Sequence, residues 1–261
     1  MPAQTANLFP AFSAAEIGQF NRDGFVIVRG LARRDSCEQM RAIARDQLSR
    51  LIEPVEFEAD VHYPGSPGSR DANGGRTVRR LLQACLRGEP FRQWACSPEI
   101  GVRLQQLLGP QPMLAQAHHN CIMTKDPRFS SRTGWHQDMR YWSFERPELV
   151  SAWLALGREH EDNGCLQLVP GSQAMDLGRD RFDQALFFRQ DLEPNRDVLA
   201  HSVHAELDPG DVLFFHCRLL HAAGWNRTTE TKLSLVYTYH AADNRPLPDT
   251  RSASLPSIAV A

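Results

Sequence analysis

The sequence predicts a mostly β protein with flanking α-helices, arranged as a sandwich or jelly roll. After Pro112 the apolar runs are short, and turn signals such as Asn163-Gly164 and Pro209-Gly210 separate them. Helical i, i+3, i+4 spacing is confined to the first part of the chain. Many short strands that follow a group of helices indicate this fold class, and one β domain often reaches the length of 261 residues.

We therefore expect a single domain over residues 1–261. Its sections are N-terminal helices and an early strand over about residues 1–110, a β core over about residues 111–242, and a C-terminal tail over residues 243–261. No internal repeat divides the chain further.

The N-terminal elements follow from local signals. The capping box of residues 13–16 predicts a first helix, and Gly24 ends it before an apolar strand at residues 25–30. An apolar stripe through residues 40–51 predicts a longer helix. A third helix is predicted over residues 97–108, where Pro98 stands in the first turn.

Two segments do not have the pattern of a regular element. Residues 60–77 are rich in glycine, proline and serine, and a segment of that kind inside a compact domain favours a lid. Residues 176–200 form a charged excursion, which we expect to pass over the mouth of the β core. The strands of the core are predicted at residues 113–123, 150–157, 165–170, 211–216 and 232–240.

Composition excludes several classes of partner. The chain is 42% hydrophobic and 23% charged, and its net charge of −2 gives no electrostatic reason to expect a nucleic-acid or membrane partner. No apolar stretch is long enough to span a membrane, and the N-terminus lacks the pattern of a signal peptide. Six cysteines without CxxC spacing predict free thiols, so we expect a cytoplasmic protein.

The most informative motif is His136-Gln137-Asp138, followed 83 residues after Asp138 by His221. On an extended strand, residues i and i+2 point to the same side, so His136 and Asp138 can hold one ion. His221, or His216 five residues earlier, can supply a third ligand. Two histidines and one carboxylate on one face leave coordination positions free, as in non-heme Fe(II) oxygenases.

The surrounding residues strengthen this interpretation. An ordered set of motifs resembles the phytanoyl-CoA dioxygenase family over about residues 80–240: Gly134-Trp135-His136-Gln137-Asp138, Trp153, Asn163 to Ser172, Gly210 to His216, and Leu220-His221. The resemblance implies a double-stranded β-helix of the cupin-like, jelly-roll type. It also implies Fe(II), 2-oxoglutarate as co-substrate and O2, with oxidation of a small metabolite and release of succinate and CO2.

Carried over position by position, the resemblance makes His136, Asp138 and His221 the metal ligands and catalytic residues. The family's ligand is the later histidine, which precedes small residues, so His216 becomes a packing residue. Related halogenases carry a small residue in place of the carboxylate, and Asp138 therefore indicates hydroxylation or another oxidation.

The co-substrate site departs from the family pattern. The family places an arginine eleven residues after the distal histidine, where this chain has Lys232, and Arg227 is an alternative anchor. Lysine provides a point charge without a bidentate fork. Ala223 stands where the family has a hydroxyl residue. Three further positions match the wall of the co-substrate pocket: Gln137, Trp153 and, by a looser alignment, Arg80.

Two other functions stay open on the sequence. Ala223 and Lys232 are compatible with a non-catalytic or degenerate family member that binds a small molecule. A zinc hydrolase on a cupin-like barrel is the third alternative. Side chains beside the metal segment, among them Arg140 and Tyr141, form a basic and aromatic rim that suits an anionic or polar small molecule. The oligomeric state does not follow from the sequence.

Overall fold

A computed structural model describes residues 9–63 and 65–260. Pro64 of the turn-rich segment and the first eight residues of the N-terminus lie outside the described residues. The helices are α1 Ala14–Asp23, α2 Arg34–Ser49, α3 Glu89–Ala95, α4 Pro98–Leu108 and α5 Glu193–Leu199. The strands are β1 Phe25–Val28, β2 Val55–Phe57, β3 Val78–Leu82, β4 Pro112–Lys125, β5 Thr133–His136, β6 Leu149–Ala155, β7 Leu166–Leu168, β8 Val203–Ala205, β9 Val212–His216, β10 His221–Ala223, β11 Lys232–Ala241 and β12 Ile258–Ala259.

The strands form two antiparallel sheets. The large sheet has eight strands in the order β1-β9-β6-β11-β4-β3-β2, with β12 beside β4, and the small sheet has the order β5-β10-β7-β8. The non-consecutive neighbours in both sheets are typical of a jelly roll. The predicted fold class, a double-stranded β-helix with flanking helices, is confirmed.

Two of the three predicted helices begin beside a serine that caps them. The backbone N–H of Glu16 donates to Ser13 Oγ, and the Glu16 carboxylate accepts from the backbone N–H of Ser13, which completes the capping box of α1. Ser97 caps α4 in a similar way. None of the helices in the described ranges is both long enough and apolar enough to cross a membrane.

The large sheet has an apolar layer on each face. On one face, helical residues such as Met40 and Leu104 pack with Leu154 and Leu235 in the largest buried cluster. On the other face, Trp153, Phe215 and Val236 meet Leu166 and Ala223 of the small sheet in a second cluster. The candidate site lies beside this second cluster, between the two sheets.

The large sheet takes strands from all three of the expected sections of the chain. The large sheet includes β1 and β3 from the N-terminal section and β12 from the C-terminal tail. Strand β3 escaped the sequence analysis because two of its five residues are Arg79 and Arg80, and their charges interrupt the apolar pattern. Arg79 is 2% exposed and forms a buried ion pair, so the strand is an interior one.

Strand β4 contains a large bulge. Its register with β11 passes from Asn120 opposite Tyr237 to Ala115 opposite Thr238. Residues 116–119 therefore have no position opposite them on β11. Bulges of this kind redirect side chains next to active sites, and we call residues 116–119 the β4 bulge.

Candidate metal centre

The structure brings His136, Asp138 and His221 together. His136 ends β5, Gln137 is extended, and Asp138 begins a single turn of 3-10 helix, so His136 and Asp138 face the same side. His221 begins β10 directly opposite His136. One ligand atom from each of the three buried residues lies within 4.8 Å of the other two.

Hydrogen bonds orient both imidazoles toward the carboxylate. His136 Nδ1 lies 2.8 Å from the Gly134 carbonyl oxygen, and His221 Nδ1 lies 3.0 Å from that of Leu219. With the proton on Nδ1, each Nε2 keeps a free lone pair. These Nε2 atoms lie 3.6 Å and 3.4 Å from Asp138 Oδ1. The arrangement is that of two imidazole ligands and one carboxylate ligand.

Burial and the charge of Asp138 determine the protonation of the three residues. Burial, with a smaller effect of His221, lowers the pKa of His136 to about 4. Burial alone would raise the pKa of Asp138, but the imidazoles of His119 and His221 hold it well below its ordinary value. Burial opposes protonation of His221, yet Asp138 raises the pKa of that residue. Asp138 Oδ1 is buried and has no hydrogen-bond partner among the described residues, so it is an unsatisfied anionic ligand.

The second oxygen of Asp138 has neighbours of its own. Ser151 Oγ donates to Asp138 Oδ2 across 3.5 Å, and His119 Nδ1 lies 3.3 Å from that oxygen without hydrogen-bond geometry. His216 is elsewhere: it ends β9, and its Nδ1 accepts from the backbone N–H of Arg218. The cluster is thus made with His221 and without His216.

A cavity between the sheets continues from the cluster. We call it the inner cavity, and its lining includes the following polar and charged residues: Arg79, Arg80, His119, Thr124, Lys125, Thr133, His136, Asp138, His221 and Lys232. Ala223 and Trp153 also line it. All of the residues expected at the metal are therefore in one cavity with Lys232.

The cations of the inner cavity differ in their partners. Arg79 Nη1 lies 3.1 Å from Glu58, and Lys232 Nζ lies 2.8 Å from Glu159. Lys125 stands directly opposite Lys232 on β4 and is also buried, at 7% exposure. Its Nζ donates to the Ser131 carbonyl oxygen, and within the described chain no carboxylate lies within 4 Å of it. Lys125 is the unpaired cation of this group.

The electrostatics of Lys125 reflect that isolation. Burial, then the neighbouring charges of Arg79 and Lys232, lower the pKa of Lys125 well below its ordinary value. Three basic side chains face only the carboxylates of Glu58 and Glu159 at this end of the cavity, so the protonated form of Lys125 has no carboxylate partner among the described residues. A buried charge without a counterion is costly, so a bound carboxylate would be stabilising there.

The other predicted co-substrate residues have different surroundings. Trp153 Nε1 donates to Glu159 across 3.0 Å, and its ring lies 5.2 Å from Lys232 Nζ. Arg80 lines the inner cavity and is ion-paired with Glu56. Gln137 does not line this cavity, because its amide donates to the Arg218 carbonyl oxygen instead. Arg227 is exposed and is also absent from the lining.

The missing hydroxyl at Ala223 has a neighbour that carries one. Thr133 stands directly opposite Ala223 in the pairing of β5 with β10, and both residues line the inner cavity. Thr133 Oγ1 accepts from Arg79 Nη2 across 2.6 Å, which leaves its own proton available. The sequence analysis did not single out Thr133, Lys125 or Glu159, because only the strand pairing brings them to the site.

A second cavity, of about 310 Å³, lies beside the first, and we call it the outer cavity. Arg80, His119 and Tyr141 line both cavities, so the two adjoin. Tyr63, from the turn-rich segment, lines the outer cavity, and its hydroxyl lies 2.5 Å from that of Tyr141. The segment predicted as a lid therefore contributes to the wall of this cavity.

Comparison with known proteins agrees with these observations. The profile of the family described as "Phytanoyl-CoA dioxygenase (PhyH)" matches residues 20–234. The chain is similar to peroxisomal phytanoyl-CoA dioxygenase of Homo sapiens, with 30% identity covering 86% of this chain and 67% of that protein. It is also similar to ectoine dioxygenase of Halomonas elongata, with 26% identity covering 89% and 71% of the two chains.

The fold is shared with a solved enzyme. A crystal structure of the epimerase SnoN in complex with Fe3+, alpha ketoglutarate and nogalamycin RO superposes with a TM-score of 0.72. The sequence identity is 24%, and the match covers 93% of this chain and 89% of SnoN. At this level of identity the likeness concerns the fold.

Proposed function

The chain belongs to the phytanoyl-CoA dioxygenase family, and on that basis we propose that it is an Fe(II)- and 2-oxoglutarate-dependent dioxygenase that oxidises a small metabolite. The observation that carries the proposal is the cluster of His136, Asp138 and His221 beside a cavity with one unpaired cation. The first feature suits the metal, and the second suits the co-substrate.

The residues of the cluster fit Fe(II). Two imidazole Nε2 lone pairs face a buried carboxylate oxygen that has no hydrogen-bond partner among the described residues. His136, Asp138 and His221 would hold the metal, with Ser151 beside the other oxygen of Asp138. When bound, Fe(II) would supply the site at which O2 is activated, with 2-oxoglutarate as the two-electron reductant: one oxygen atom would enter the succinate formed with loss of CO2, and the other would oxidise the substrate.

Lys125 and Lys232 together would bind the distal carboxylate of 2-oxoglutarate. Lys232 already donates to Glu159 and Ser234, so one of its three N–H groups is left. Lys125 donates only to the Ser131 carbonyl oxygen and has two N–H groups left. A carboxylate between the two lysines would supply the counterion that protonated Lys125 lacks. In this arrangement the lysine pair replaces the arginine of the family, so Arg227 is not required.

The hydroxyl of Thr133 would replace the family hydroxyl that is absent at Ala223. It lies on the strand opposite Ala223, and Arg79 fixes its oxygen as an acceptor. Its proton is then directed away from Arg79 and is available to the same carboxylate. Strand β5 would thus supply the hydroxyl that β10 lacks at Ala223.

The protein shields the reacting groups. His136, Asp138 and His221 are all buried, and Phe187 of the segment at residues 176–200 packs with its ring centroid 6.0 Å from that of His136. Exclusion of water strengthens the interactions of the charged ligands and limits side reactions.

We also propose a cytoplasmic location, which is supported by six cysteines that are all described and all unpaired.

Spectroscopy and product analysis test the proposal together. Anaerobic protein with Fe(II) and 2-oxoglutarate should show a weak visible charge-transfer band, and admission of air should release succinate. A mass-spectrometric screen of candidate metabolites should then find a product with one added oxygen. The Asp138→Ala variant should lose the band, whereas Arg34→Gln, an exposed change on α2, should keep it. If wild-type protein with stoichiometric iron gives neither band nor succinate, the proposed function is wrong.

A further inference from the structure

If the proposed function is correct, the residues that line the outer cavity indicate the class of substrate. It adjoins the metal cluster through His119 and Tyr141, so a molecule bound there lies next to the reacting centre. Twelve of its eighteen lining residues are polar or charged, which favours a polar ligand over a long aliphatic one. The β4 bulge supplies all four of its residues to this wall.

The charges of the outer cavity do not cancel. The carboxylates of Glu56 and Asp60 are each paired with an arginine, Arg80 and Arg70 respectively. Arg140 and Arg251 also line the cavity. Within residues 9–63 and 65–260, neither guanidinium makes an ion pair or a side-chain hydrogen bond. Two positive charges are therefore uncompensated.

Arg140 is held in place by aromatic rings. Its guanidinium carbon lies 3.9 Å from the ring centroid of Phe187 and 5.0 Å from that of Tyr141. Its Nη1 is buried without an acceptor in the described structure. A guanidinium only donates hydrogen bonds, and a buried unsatisfied donor is costly, so the missing partner is an acceptor supplied by a ligand.

Two histidines of the β4 bulge add to this pattern. His118 Nε2 and His119 Nδ1 are also buried without partners among the described residues. Burial, and then the charge of Arg251, lower the pKa of His118 to about 3, so its imidazole is neutral near neutral pH. His118 therefore adds no positive charge to those of Arg140 and Arg251, and the unsatisfied nitrogens of both histidines leave further hydrogen-bonding positions at the cavity wall.

We propose that the outer cavity binds a substrate with an anionic oxygen group, a carboxylate or a phosphate, against Arg140 and Arg251. Such a group brings both the negative charge and the acceptors that the two guanidiniums lack. The reacting carbon would lie on the side of the molecule that faces His119 and Tyr141. This inference rests on the proposed function and narrows its substrate class.

The test uses anaerobic protein loaded with Fe(II) and saturating 2-oxoglutarate, so that the lysines of the inner cavity are occupied. Ligand-observed NMR measures the binding of benzoate, phenyl phosphate and benzamide. We expect one of the two anions to bind at least about tenfold more tightly than neutral benzamide. The comparison of benzoate with phenyl phosphate decides between a carboxylate and a phosphate.

Variants locate the binding site. Arg140→Gln and Arg251→Gln should each weaken anion binding by about tenfold without changing the Kd of 2-oxoglutarate. Arg140→Lys should restore part of the affinity because it keeps the charge. Arg34→Gln, the same change at an exposed position, should have no effect. The Arg251 side chain is exposed, so its variant provides a result even if Arg140→Gln misfolds.

The outcomes separate this inference from the proposed function. If 2-oxoglutarate binds and benzamide equals the anions, or if neither arginine variant changes anion affinity, the inference is overturned and the oxygenase assignment stands. If 2-oxoglutarate does not bind, the proposed function fails. The anion titrations are then run without it, and the arginine variants still decide whether the outer cavity selects anions.

Discussion

Substitution of Lys125 by methionine should weaken 2-oxoglutarate binding without destabilising the protein. The side chain is buried, it lines the inner cavity, and it has no carboxylate partner among the described residues. Loss of one hydrogen bond between charged groups costs about 1.5–3 kcal/mol, which corresponds to a Kd roughly 10- to 150-fold higher. Isothermal titration calorimetry of 2-oxoglutarate into anaerobic Fe(II)-loaded protein measures the change.

Lys232→Met is the matched control, because the same substitution there should have a different effect on stability. It leaves Glu159 buried without its cation, which should cost about 3–5 kcal/mol of unfolding free energy. Lys125→Met removes a buried amine that has no carboxylate partner among the described residues, so its melting temperature should equal or exceed that of the wild type. If Lys125→Met binds 2-oxoglutarate within about twofold of the wild type, Lys125 is not the anchor and the reasoning is refuted.

The lowered pKa of Lys125 predicts a pH dependence of stability and a proton uptake on ligand binding. The unfolded chain keeps the lysine proton up to the ordinary pKa, and the folded chain loses it at lower pH. Between these two pKa values the unfolded state binds more protons, so stability rises with pH in that window. A bound carboxylate raises the pKa of Lys125 again. Binding there should take up a proton, detectable with buffers of different ionisation enthalpy, and Lys125→Met should abolish the uptake.

Three further predictions follow from the structure. His221→Ala should abolish stoichiometric iron binding, whereas His216→Ala should at most weaken it. If metal analysis finds less iron in His216→Ala than in His221→Ala, His216 is the ligand. Glu159→Gln should lower the unfolding free energy, measured by urea denaturation, by about 3–5 kcal/mol. A loss below about 1 kcal/mol would mean that buried Lys232 does not need the Glu159 carboxylate as its counterion. Gly164→Ala should cost about 1–3 kcal/mol, because φ is +72° and a Cβ would meet a backbone carbonyl oxygen at 2.7 Å. The control is Gly18→Ala, in helix α1 with open space around it, which should stabilise the protein by about 0.5–1 kcal/mol. Equal denaturation midpoints for the two variants would show that Gly164 is not under the backbone constraint described.

The metal cluster could be predicted because its information is local. His136 and Asp138 are two positions apart on extended backbone, so their common side follows from strand geometry alone. His221 was preferred to His216 through the family resemblance, and the antiparallel pairing of β10 with β5 brings it beside His136. The predicted core strands were recognised for the same reason, since alternation and turn signals are contained in each segment.

The co-substrate end could not be predicted in the same way. Lys125 and Lys232 are opposite each other only because β4 pairs with β11, and Glu159 reaches Lys232 from a different segment. Such contacts join residues that are far apart in the chain, so no local sequence pattern predicts them. Gln137 illustrates the converse, because its position in the motif suggested the pocket, whereas a hydrogen bond to the Arg218 carbonyl oxygen turns its amide elsewhere.

The β4 bulge gives this scaffold a means of changing its substrate in evolution. Residues 116–119 sit outside the β4–β11 register, so insertions, deletions or replacements there need not shift any ladder hydrogen bond. Lys125, at the far end of the same strand, would keep its place while the recognition wall is rebuilt. Diversification of the accepted molecule and preservation of the oxidative apparatus are thus separable within a single strand.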